Sequence, residues 1–87
     1  MKMRENKLEI HFENVTNAVQ RFKNQLKIIA VDNKDFLENN NLKLDYWVTH
    51  IYNNYGSTCL IENDIIERKL GNKIRAAHDQ CFSNLIL

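Results

Sequence analysis

Residues 8–29 read LEIHFENVTNAVQRFKNQLKII, and the reading of this stretch decides the fold. Leu8, Phe12, Val15, Val19, Phe22, Leu26 and Ile29 recur at alternating steps of four and three, the spacing that gathers apolar side chains on one stripe of an α-helix. Its start also carries a second pattern. From 7 to 13, Leu8, Ile10 and Phe12 alternate with Lys7, Glu9, His11 and Glu13, as in a half-buried strand. The helix accounts for the whole stretch and is the expectation, with a short strand at 7–13 as its alternative. A helix of about 27 residues would be about 40 Å long at roughly 1.5 Å per residue. Few residues remain to cover such a rod, which favours a homodimer through the 8–29 stripe, with packing against the chain's own later helices as the alternative. Phe12, Val19 and Leu26 take the a positions of a heptad and Leu8, Val15, Phe22 and Ile29 the d positions. The flanking positions carry no charge ladder that would fix the pairing.

Beyond this stripe, residues 32–41 hold polar turn formers around Phe36 and Leu37, which read as a short anchor. Leu44, Trp47, Val48, Ile51 and Tyr55 then suggest a second helix from Lys43 to Tyr55, stopped by Gly56. A third is expected to start at Ser57 or Thr58. It gains from Glu62 and Asp64 near its start and ends at Gly71 after Arg68 and Lys69, so that both termini complement the helix dipole. A fourth begins at Asn72 and carries Ile74, Ala77, His78, Cys81 and Leu85 on one face. Proline is absent and glycine occurs twice, which removes the punctuation of an all-β domain. The expected fold is therefore all-α, a single domain over 1–87 built as a small bundle of three to four helices.

Composition narrows function by exclusion. With 44% hydrophobic and 26% charged residues and a net charge of +1, the chain is too apolar for intrinsic disorder. The same balance lacks the basic excess of a sequence-blind nucleic-acid binder. No apolar run approaches the roughly 20 residues of a membrane span. Residues 1–7 are not followed by the apolar region of a secretory signal, so a cytoplasmic location and two reduced cysteines, Cys59 and Cys81, are expected.

Motifs for chemistry are sparse. His78 and Cys81 share a helix face, with Cys59 and His50 as remote partners, but the spacing matches no zinc pattern, and neither metal nor cofactor is expected. The cysteines stand in no nucleophile signature. Two glycines fifteen residues apart exclude both the P-loop and the dinucleotide fingerprint. An enzyme is therefore not expected.

Two surfaces remain as binding candidates. Asp45, Tyr46, His50, Tyr52 and Glu62 bring aromatic rings into a stretch, 35–64, where five acidic groups face only Lys43. Tyrosine is enriched where interfaces concentrate their energy, and the acidic surroundings suit a basic partner. This favours a small binding protein that occludes or scaffolds a protein partner, as immunity proteins, antitoxins and inhibitors do. The alternative is a helix-turn-helix regulator turning at Gly71. Its following helix would present Arg75 and Gln80 to bases and Lys69 and Lys73 to phosphates.

Overall fold

A computed structural model describes residues 2–53 and 56–83, with side chains over 14–51 and 58–83. The order is α1 (Lys2–Asp32), α2 (Lys34–Asn39), α3 (Leu44–Trp47), β1 (Val48–Asn53), β2 (Gly56–Ile61) and α4 (Asp64–Phe82). The fold is 75% helical and carries a two-stranded antiparallel sheet. This corrects the all-α bundle, since α2 and α3 are only six and four residues long. What packs is one pair of long helices with a β-hairpin laid across it.

The long helix forms as its periodicity requires, and the strand alternative at 7–13 does not, the backbone there being helical. Ala18, Phe22, Leu26 and Ile29 of α1 are buried against Ile66, Leu70, Ile74, Ala77, Cys81 and Phe82 of α4 in one core. Phe22, Ile66 and Ile74 are the largest side chains in full burial. Leu37, Leu44 and Val48 close that core from α2, α3 and β1. The radius of gyration is 15.0 Å, against about 12 Å for a compact chain of this length. The excess reflects α1, since 31 residues extend about 46 Å.

Asparagines end α1 and α2. The Asn33 side-chain amide donates to the Ile29 carbonyl at 2.9 Å and that of Asn40 to the Phe36 carbonyl at 2.8 Å. Asn41 then turns the chain with φ of 54°, a left-handed conformation that asparagine tolerates better than most residues. Phe36 and Leu37 do anchor this segment, Leu37 in the core and the Phe36 ring beneath the Lys69 ammonium, 5.7 Å from its centroid.

From Val48 to Ile61 the hairpin replaces most of the expected second helix and the start of the expected third. The register pairs Val48 with Ile61, Thr49 with Leu60, His50 with Cys59 and Ile51 with Thr58. Val48 and His50 face the core side, whereas Ile51, placed on the apolar stripe of a helix by its spacing, is exposed on the opposite face. Valine, threonine, isoleucine and tyrosine dominate β1, and branched or aromatic side chains suit a pleated surface better than a helix. The Glu62 amide donates to the Trp47 carbonyl at 2.9 Å and carries the ladder one step past the strands.

The third and fourth helices are one. α4 begins with Asn63, not Ser57 or Thr58, and the Asn63 Oδ1 accepts from the Ile65 and Ile66 amides at 2.9 and 3.1 Å. It runs without a break through Gly71 and Asn72, so no helix-turn-helix unit exists here. Gly71 serves a different purpose. A Cβ at that position would meet the Glu67 Oε2 at 2.5 Å. The glycine thus makes room for the Glu67 carboxylate, which lies along the helix and accepts from the Arg75 guanidinium at 2.6 Å, two turns on. Expectations resting on the side chains of Leu8, Phe12, Tyr52, Tyr55, Ser57 and Leu85 lie outside the described residues.

Candidate functional site

The base of the hairpin gathers part of the expected partner surface. α3 presents Asp45 and Tyr46 outward, and the bond from Glu62 to Trp47 brings Glu62 alongside them. Tyr46 is 71% exposed, its ring standing edge-on to Trp47 at 4.8 Å. On the outer face of the hairpin the register sets Ile51 and Leu60 diagonally across from each other, between Thr49 and Thr58. Both aliphatic side chains remain about half exposed, 51% and 44%. Neither strand contains a charged residue. Asp45, Tyr46 and Glu62, expected from the sequence, are exposed, whereas Ile51 and Leu60 were not expected on the surface, because a helix would have turned Ile51 inward.

His50 belongs to the other face. Its ring meets Phe22 edge-on at 5.8 Å and Phe82 at 5.7 Å, and nearby His78, only 3% exposed, stacks on Phe82 at 4.6 Å. Burial, then the charges of His78 and Lys23, hold the His50 pKa below its ordinary 6.5. A neutral imidazole at neutral pH suits this setting, since protonation would place charge among apolar rings. Cys59, opposite His50 in the sheet, and Cys81 are free thiols. Burial is the leading cause that pushes both pKa values up, which keeps them protonated and weakly nucleophilic. Among the described residues no three His, Cys, Asp or Glu side chains are arranged to hold a metal ion.

The basic set is divided by α4. Lys69, Lys73 and Gln80 are exposed and fall on one stripe by helical spacing. Arg75 lies well round the helix, bound to Glu67. One unpaired carboxylate oxygen, the Glu67 Oε2, is buried against Gly71. The spacing Glu67, Gly71, Arg75, four residues at each step, was the available sign of this pair.

A groove that the sequence did not reveal lies between α1 and the start of β1. Its volume is about 440 Å³, and the buried Phe22, Leu26 and Val48 lie behind it. Gln20, Lys23 and Lys27 line it from α1, with His50 and Asp45 from the other side. Neither lysine nor Asp45 has an ion-pair partner among the described residues. Among those residues no helix is long and apolar enough to cross a membrane. No protein-family model matches the chain, and neither does any curated protein or solved structure.

Proposed function

We propose that this chain is a small, non-enzymatic binding protein, cytoplasmic in location, that holds a protein partner and acts by occluding or scaffolding it, in the manner of an inhibitor, antitoxin or immunity protein. The observation that carries this reading is the outer face of the hairpin, where Ile51 and Leu60 stand half exposed on an uncharged sheet. Tyr46, Asp45 and Glu62 are exposed at the base of the hairpin and add an aromatic ring and two negative charges near this face. Apolar anchors inside a polar rim are the usual anatomy of a protein interface. The acidic rim favours a partner whose own rim is basic. His50 faces the core side of the same strand, beside Phe22 and Phe82, and takes no part in this surface. Self-association through the 8–29 stripe would be confined to positions before Ala18, because Phe22, Leu26 and Ile29 are buried in the chain's own core.

The test is capture of partners from host lysate by tagged protein, with and without nuclease, for the wild type and for Ile51→Lys with Leu60→Lys. The expected result is one stoichiometric protein that survives nuclease and is lost with the double substitution while the thermal unfolding midpoint holds. Capture that is insensitive to the substitutions, or that consists of DNA removed by nuclease, overturns the reading.

A further inference from the structure

The free edge of β1 and the groove beside α1 share the same residues. The Glu62 amide to Trp47 carbonyl bond fixes the phase of the ladder. In an antiparallel pair, residues that exchange hydrogen bonds alternate with residues whose N–H and C=O groups point away from the partner strand. Trp47 opposite Glu62 is a bonded position, so Thr49 and Ile51 turn their backbone groups toward β2, and Val48 and His50 turn theirs outward. The Val48 amide donates to the Leu44 carbonyl at the end of α3. The Val48 carbonyl and both backbone groups of His50 find no hydrogen-bond partner among the described residues. Val48 and His50 are also the two β1 residues that line the groove.

Across that groove, Lys23 and Lys27 stand one helical turn apart on α1, and among the described residues neither forms an ion pair, Asp45 on the facing wall included. Two like charges at this spacing repel and weaken a helix slightly. An edge strand is ordinarily protected by charged side chains or proline, and β1 has neither. Open backbone groups on one wall and, on the other, two cations with no ion pair among the described residues describe a receptor for an extended chain.

We infer that the groove between α1 and β1 binds an extended, acidic peptide segment, which adds to the sheet as a third strand along β1 and sets a carboxylate against Lys23 and Lys27. The inference rests on the protein-binding reading above and adds the kind of segment gripped. The added strand would run about 4.8 Å from β1, between it and the Lys23 and Lys27 side chains. Charge decides between acidic and basic peptides, since the α1 wall offers two cations and Asp45 stands alone opposite.

The experiment is selection of random peptides about twelve residues long, displayed on phage, against the full chain and against Lys23→Glu with Lys27→Glu. Selected sequences on the wild type should be acidic with alternating apolar residues. The double charge reversal should weaken a synthetic copy of the best one by about tenfold or more at low salt. Methylating alternate backbone amides of that peptide should cost about tenfold in one phase and under about twofold in the other, because only one phase faces β1. Failure to select acidic peptides, indifference to the charge reversal, or equal tolerance of both methylation phases overturns the proposal. A dimer of this chain that excludes the peptide and is lost on the same reversal also overturns it, with a second copy as occupant. Lysate capture that survives the lysine reversal and fails with Ile51→Lys would sink the groove alone. Peptide binding intact while capture fails to respond to Ile51→Lys would sink the outer-face reading alone.

Discussion

The long helices and the hairpin contain similar proportions of apolar residues, yet they differ in how tightly their pattern binds them to one structure. In α1 the steps of four and three continue over more than twenty residues, and no strand can keep such a stripe on one face. In residues 44–51 the same steps link Leu44, Trp47, Val48 and Ile51 only. A separation of four keeps two side chains on one face in either structure, because it is an even number and also close to one helical turn. Leu44 and Val48 are therefore buried together under both readings. A step of three tells them apart, and Ile51, three beyond Val48, is on the outside. The lesson is that a short stripe has to be judged on its steps of three.

The contrast can be broken most forcefully at Phe22. It is fully buried between α1 and α4 and edge-on to His50, His78 and Phe82, so Phe22→Ala should cost about 3–5 kcal/mol. Urea unfolding followed by circular dichroism measures this, and a loss below about 1 kcal/mol would mean that the helix pair is not the stabilising unit. Next comes Asn63, where hairpin and helix meet. Asn63→Ala removes the acceptor for two amides and should cost about 1 kcal/mol, whereas a helix starting at Ser57 or Thr58 would be untouched by it.

Gly71→Ala sharpens the comparison inside α4. The gain in helix propensity, about 1 kcal/mol, should be largely cancelled when the new methyl displaces the Glu67 carboxylate. In a Glu67→Gln, Arg75→Met background the same change should stabilise by about 1 kcal/mol, as a double-mutant cycle would register. At Ile51 the outer face predicts the smallest effect. Ile51→Thr should move stability by less than about 0.5 kcal/mol, while a helical stripe position would lose several times more. Amide hydrogen exchange then resolves the ladder residue by residue, with Thr49 and Ile51 protected and His50 exchanging faster than either neighbour.

Legibility in the sequence followed the same division. The stripe from Val15 to Ile29, the Phe36 and Leu37 anchor and the core face of the last helix, with Ile74, Ala77, His78 and Cys81, could all be read because tertiary packing reinforces their local period. The hairpin could not, because a six-residue strand has room for only three residues per face. Gly71 misled for another reason. Glycine as a helix terminator is a statement about backbone freedom, and here the missing side chain matters for the space it leaves. At the candidate sites, Asp45, Tyr46 and Glu62 were visible as residue types. The groove was invisible because Lys23 and Lys27 meet Asp45 and His50 only after β1 has folded back on α1.

The carboxylate lying over Gly71 ties the inheritance of three positions together. A lineage that replaces the glycine with any larger residue evicts Glu67, and Arg75 then loses the partner that holds it along the helix. From that point selection has no reason to retain either charge, so 67, 71 and 75 should be kept jointly or drift jointly. Homologues that conserve all three, with the cap asparagine four residues before the glutamate, would mark descent of this helix even where the hairpin sequence has diverged.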